Sequence, residues 1–152
     1  MIEDKIKELG FNLPEPPKPL AAYVPAVMTG EFVFTAGQIP ISGGKLKYAG
    51  KLGEEISEEE GKKAAEICAL NCLSAVKGLV GELKRIEQVI KLTVFVNSAE
   101  GFINQPAVAN GASELIERIF GKNGSHARSA VGVNELPKNA SVEIEMIVKI
   151  KK

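Results

Sequence analysis

A chain of 152 residues, 45% apolar and 25% charged, matches an ordinary soluble domain and is long enough to bury a real core. Its 19 basic and 19 acidic side chains cancel, Trp is absent and only 5% of residues are aromatic. That leaves neither the basic stripe nor the stacking platform expected of a nucleic-acid binder, so no nucleic-acid partner is expected.

Ile2, Ile6 and Leu9 have helical spacing and Gly10 supplies a stop, which predicts a short amphipathic helix on the outside of the domain. MIEDKIKELG has no signal-peptide core, and no apolar run approaches the roughly 20 residues of a membrane span; a cytoplasmic protein without membrane contact is expected. Residues 12–20, NLPEPPKPL, carry too much proline for a helix or a central strand and should run extended over the surface. Residues 1–19 therefore read as an extension and residues 20–152 as the domain.

Phe32–Ala36 alternates as a strand, with Phe32, Phe34 and Ala36 on one side and Val33 and Thr35 on the other. Gly30 before it and Gly37–Pro40 after it predict a hairpin with an irregular turn. Ile41–Leu52 reads as an exposed loop or weak edge strand. SEEE at 57–60 is a capping box, Ser57 with Glu60, opening a long helix that buries Ala65, Cys68, Cys72, Ala75, Val76 and Leu79. The two cysteines would need further ligands to hold zinc, and His126 is the chain's single histidine, so reduced buried thiols and no metal are expected. No phosphate-binding glycine pattern opens a helix, and no organic cofactor is expected either.

Val89–Val96 predicts a strand with Ile90, Leu92, Val94 and Val96 on one face and Thr93 and Phe95 on the other. Pro106 fits the first turn of a second long helix, buried through Val108, Ala112, Leu115, Ile116 and Ile119 and ended by Gly121. Two strands, Ser129–Val133 and Ser141–Ile150, close the chain. The order predicts an α+β domain, a mixed sheet with two helices on one face. In the last strand Val142, Ile144, Met146 and Val148 point toward the helices, which puts Glu143, Glu145 and Ile147 on the opposite face. Ile147, Phe95 and the valines near Arg128 make that face too apolar for water, and a partner subunit is the simplest cover. Arg128 itself reads either as a strand-end arginine paired with Glu143 or Glu145, or as a ligand group.

YVPAV at 23–27, TAGQIP at 35–40, KLTVFVNS at 91–98 and ARSAVGVNELPKNASVEIE at 127–145 resemble the Rid family, the YjgF-type reactive intermediate deaminases often called translation inhibitors or endoribonucleases. The resemblance spans about residues 20–150, with longer loops around Gly43–Gly53 and before Asn110 that mark a divergent branch. It implies a chorismate-mutase-like α+β fold assembled as a homotrimer, with a central barrel of sheets, helices outside and clefts between subunits. Because it begins near residue 20, removing Met1–Gly10 is expected to leave the trimer intact.

The resemblance further implies that Arg128 holds a substrate carboxylate, that Glu143 positions water at an imine carbon, that Tyr23 lines the cleft and that Gly37 shapes it. A planar guanidinium fork suits a carboxylate bidentately. Ala36 stands where the archetypal deaminases have serine, and Ala130, at the cleft, where they have cysteine. The implied activity is hydrolytic deamination of 2-imino acids and their enamine tautomers to 2-oxo acids and ammonia. A non-catalytic trimer that binds small carboxylates is the alternative, and an endoribonuclease a distant third. Near Arg128, His126 could act as a base, but no nucleophile motif accompanies it; it reads as a loop histidine at the cleft mouth.

Overall fold

Residues alternating with period two and residues spaced at 3.6 build the two layers of this protein. The computed structural model describes residues 1–19 and 22–152. The expected domain start, Leu20, and its neighbour Ala21 lie outside the described residues. In chain order come α1 (Ile2–Glu8), β1 (Ala26–Thr29), β2 (Phe32–Thr35), β3 (Ile41–Ser42), β4 (Lys45–Leu46), α2 (Glu58–Val80), β5 (Ile86–Asn97), α3 (Gln105–Phe120), β6 (Ala127–Val133) and β7 (Val142–Ile150). Five strands form one sheet in the order β1-β2-β7-β5-β6, and β3 and β4 pair as a separate hairpin. Only β5 and β6 run parallel, as the crossover through α3 requires. The fold is a mixed α+β arrangement, as the sequence predicts. Among the described residues no helix is long and apolar enough to cross a membrane.

The long helices start and cross as local chemistry dictates. Ser57 Oγ accepts from the Glu60 N–H at 3.2 Å, and Glu60 Oε2 accepts from the Ser57 N–H at 2.9 Å. These two bonds satisfy amides that the first turn of α2 leaves free. Cys68 and Cys72 are fully buried on the sheet-facing side of α2, where their thiols donate to the Val142 and Ile144 carbonyls. Burial is the main cause that pushes the Cys72 thiol up to about 12, so neither sulfur offers a thiolate. Where α2 meets α3, a β-carbon on Gly111 would collide with the Lys62 carbonyl oxygen. Glycine at 111, costly inside a helix on its own, is what lets the two helices cross so closely.

Three expectations need correction. Leu79, assigned to the buried face of α2, is 44% exposed near the helix end, and Val80 fills the inward position. Ile90 is not on the core face of β5: the register against β7 shifts between Val89 and Lys91, so Val89 points inward and Ile90 is half-buried. A bulge adds one residue and reverses the parity of alternation, which strict period-two reading cannot foresee.

The third concerns α1. Ile6 is fully buried in the main core, and Ile2 and Leu9 pack against it. Glu3 pairs with Lys77 of α2 at 3.2 Å. The helix does lie at the surface, with Asp4, Lys5, Lys7 and Glu8 exposed, but Ile6 makes it part of the core. Ile6→Ala is therefore expected to cost about 2–5 kcal/mol, read as a lower denaturant midpoint at unchanged slope. Removing Met1–Gly10 should destabilise the fold, against the expectation from the sequence.

The helix-covered face of the sheet is dry. Leu92, Val94, Val142, Ile144 and Val148 are all fully buried. The opposite face carries Val27, Phe32, Phe34 and Val131, between 38% and 54% exposed, with Phe95 and Ile147 half-buried among them. These apolar side chains, with Glu145 and Thr93 between the two ends, share one face of the sheet that no helix covers among the described residues.

Candidate functional site

The candidate residues fall into two groups on different parts of the chain. The first gathers at the end of β2, where the strand leaves the sheet. Gln38 continues the pairing with β7, its N–H donating to the Ile144 carbonyl at 2.8 Å and its carbonyl accepting from the Ile144 N–H at 3.0 Å. That clamp holds the 36–40 loop directly over Glu143. A β-carbon on Gly37 would lie 2.9 Å from Glu143 Cδ. Glycine is needed at 37 because the carboxyl group occupies the space a side chain would take.

Tyr23, Gly37 and Glu143 line one cavity of about 730 Å³. The N-terminal segment supplies part of its wall through Pro14 and Pro17, and Ile39 and Ile41 supply another part. Both walls are anchored to α2. Ser74 Oγ donates to the Pro14 carbonyl at 2.7 Å, and Pro16 packs against Gly78 so closely that an added β-carbon would sit 2.8 Å away. Asn71 Nδ2 donates to both the Ile39 and Ile41 carbonyls at 3.0 Å. The proline-rich stretch is thus a fixed strap beside the cavity, a role its composition alone did not reveal.

Glu143 is half-buried, and burial raises its carboxyl above the usual glutamate range, with the negative charge of Glu145 as the second cause. A carboxyl shifted this way holds and releases protons closer to neutrality than a surface glutamate does. Ala36 precedes Gly37 and carries only a methyl group. Its N–H donates to the Pro25 carbonyl and its carbonyl accepts from Gln38 Nε2. Thr35 does not replace the missing hydroxyl: its side chain faces the core, accepting from the Met146 N–H at 3.0 Å and donating to Cys72 Sγ.

The second group lies at the far edge of the sheet. Arg128 pairs in register with Leu92, so it points to the helix-covered side, whereas Glu143 pairs with Phe95 on the open side. A single chain cannot bring the two together across its own sheet. The ion pairs expected for a structural Arg128, with Glu143 or Glu145, do not form. Instead Arg128 Nη1 donates to Asn110 Oδ1 at 2.8 Å and to Ser113 Oγ at 3.1 Å, both on α3. Arg128 lines a second hollow of about 360 Å³ with Asn110, Ser113 and His126. Ala130 follows Arg128 on the same side of β6, packs against the core and lines neither cavity.

His126 is more than a loop residue. Its Nδ1 lies 2.6 Å from the Gly124 carbonyl and its Nε2 2.9 Å from Ser113 Oγ. Asn110, Ser113 and the role of His126 were missed from the sequence. Asn110 and Ser113 are three apart and share a helix face, but read alone they look like ordinary polar positions beside an apolar stripe. Among the described residues no group of three or more His, Cys, Asp or Glu side chains could hold a metal ion.

Comparison with known proteins places the whole arrangement. A family model described as "YjgF/chorismate_mutase-like, putative endoribonuclease" matches residues 3–149. The chain is 41% identical to Protein TCP17 of Trypanosoma cruzi, over 95% of this chain and 91% of that one. It is 32% identical to a 2-iminobutanoate/2-iminopropanoate deaminase of Dermatophagoides farinae, covering 92% and 94%. The crystal structure of Atu1372, a protein of unknown function from Agrobacterium tumefaciens, superposes with a TM-score of 0.93 at 46% identity, covering 99% and 92%. The match runs through α1, the strap and both groups of candidate residues, and the chain belongs to the YjgF-type, or Rid, family.

Proposed function

We propose that the protein hydrolyses 2-imino acids, and their enamine tautomers, to 2-oxo acids and ammonia in clefts between copies of the chain. The observation that carries this reading is Glu143: a half-buried carboxyl with raised proton affinity, seated against Gly37 in a cavity shared with Tyr23. Similarity to an imine deaminase at 32% identity supports the chemistry, and Arg128 supplies the carboxylate clamp.

Each step follows from those groups. Arg128 of one copy holds the substrate carboxylate, fixing the imine carbon near Glu143 of another. The Glu143 carboxylate takes a proton from water as the water oxygen bonds to the imine carbon and the C=N electron pair shifts to nitrogen. Glu143 passes that proton to the nitrogen, giving a carbinolamine and restoring the carboxylate. Collapse of the carbinolamine forms the carbonyl, breaks the C–N bond and releases ammonia, with the second proton returned through Glu143. An enamine first gains a proton at carbon to become the imine. Water in and ammonia out balance the reaction, with no oxidant or cofactor.

Two features argue for a homotrimer. Arg128 and Glu143 occupy opposite faces of one sheet, and the face bearing Phe32, Phe34 and Val131 has no cover among the described residues. Sedimentation equilibrium at micromolar concentration is expected to give three times the mass of the chain. A monomer would remove the composite cleft altogether.

Ala36 favours a second reading, in which the trimer binds small carboxylates without turning them over, because alanine stands where the archetypal deaminases have a serine hydroxyl. Fresh 2-imino acid, made in place by oxidation of an amino acid, separates the two. Ammonia and 2-oxo acid released faster than in buffer support the deaminase. Tight 2-oxo acid binding with no acceleration supports the binder.

A further inference from the structure

Arg128 does not stand alone at the sheet edge, and the hydrogen bonds around it have a direction. A backbone carbonyl can only accept, so the 2.6 Å contact from His126 Nδ1 to the Gly124 carbonyl fixes a proton on Nδ1. In the neutral ring Nε2 is then an acceptor. Ser113 Oγ, 2.9 Å away, must donate to it, which turns the hydroxyl lone pairs toward Arg128. Arg128 Nη1 donates there at 3.1 Å and to Asn110 Oδ1 at 2.8 Å, so both of its N–H groups are used. Among the described residues Nη2 and Nε have no acceptor, which leaves that side of the fork unbonded in a half-buried residue lining the hollow.

We propose that Ser113 and His126 are positioning residues of the carboxylate clamp, a relay from the Gly124 carbonyl through imidazole and hydroxyl that sets which edge of Arg128 meets the ligand. The inference rests on Arg128 binding a carboxylate, as in the function proposed above. The need for such a relay is visible in the same hollow. Glu114 and Glu117 of α3 also line it, and Glu117 lies one helical turn from Ser113 on the same face. A guanidinium without fixed partners would have these carboxylates as competitors for the substrate. Asn110 alone holds one N–H and leaves the group free to swing about that bond; the second bond, to an oxygen itself fixed by His126, removes that freedom.

The test measures 2-oxo acid binding by calorimetry and imine hydrolysis on the assembled protein. Ser113→Ala and His126→Phe are each expected to raise Kd and KM about five- to tenfold, the effect of one lost hydrogen bond, with kcat changed far less. Ser113→Thr keeps the hydroxyl, and His126→Gln carries an amide oxygen to the place of Nε2; both should recover most of the affinity. Because the two residues act as one relay, the double variant Ser113→Ala/His126→Phe should be no weaker than either single change. Should Ser113→Ala fail to fold, Ser113→Cys keeps the volume while weakening both hydrogen bonds.

Arg128→Ala is measured alongside. If it loses binding while Ser113→Ala and His126→Phe keep wild-type affinity, the relay is wrong and the clamp stands. Additive losses without rescue by threonine or glutamine also overturn the relay. If wild type and Arg128→Ala bind 2-oxo acids equally poorly, the clamp itself fails and the relay with it.

Discussion

Arg128→Ala is expected to abolish useful affinity for 2-oxo acids while leaving the fold standing. A hydrogen bond to a charged partner contributes about 1.5–3 kcal/mol, so losing even one corresponds to roughly 10- to 150-fold, and a bidentate contact to more. The fold should survive because Arg128 sits on edge strand β6, half-buried, with Nη1 bonded only to the Asn110 and Ser113 side chains. Those polar groups gain access to water when the side chain is removed. Arg128→Lys should recover little, because an ammonium is a point charge without a planar fork and cannot use Asn110, Ser113 and a carboxylate in the same geometry. Calorimetric titration of both variants with a 2-oxo acid, beside a thermal melt, is the measurement. Wild-type affinity in Arg128→Ala would remove the arginine from the site.

Much of this architecture is legible in the sequence because local signals and packing agree. The capping box at Ser57 and Glu60, the apolar stripe of α3 and the alternation of β7 all appear where their residue patterns put them. Alternation even separated Glu143 from Ile144 by face, and so foretold the uncovered apolar surface. What failed were features decided by contacts between distant segments. Strict alternation puts Ile90 on the wrong face because the bulge in β5 depends on register against β7. Ile6 was undervalued because a seven-residue helix shows only a sparse stripe, and its burial depends on the room left beside α3.

The site divides along the same line. Glu143, Tyr23 and Gly37 were chosen by resemblance and do share a cavity, yet the strap that walls it gave no signal beyond its prolines. Asn110 and Ser113 meet Arg128 only because α3 crosses beside β6, a tertiary fact with no mark in the local pattern. Arg128 and Glu143, fifteen positions apart in one motif, sit on opposite faces of the sheet. Sequence proximity there does not bring contact within a chain.

Glu143→Gln should stop turnover and stabilise the protein at once. Glutamine keeps the shape beside Gly37 and still offers hydrogen bonds, so 2-oxo acid affinity should stay within about threefold, a loss smaller than a typical net hydrogen bond. It cannot take a proton from water, and general base catalysis is worth about 10²–10⁴-fold, so imine hydrolysis should fall by that amount. The stability effect follows from the raised proton affinity of the folded-state carboxyl, whose ordinary value is near 4.5. A glutamate whose folded pKa lies above its unfolded one stabilises the fold below the unfolded value and loses that contribution as pH rises through the folded one. As pH rises through the folded-state titration the wild type takes on the cost of ionising a half-buried carboxyl next to Glu145, and the always-neutral glutamine does not. Glu143→Gln should therefore melt higher than wild type near pH 7, and the gap should close as pH falls toward 4.5 and below. Such exchange of stability for activity is the usual signature of a group held in an unfavourable state for chemistry. A variant that loses turnover but melts lower at neutral pH would show that Glu143 is a structural partner, and the proposed role in water activation would fall.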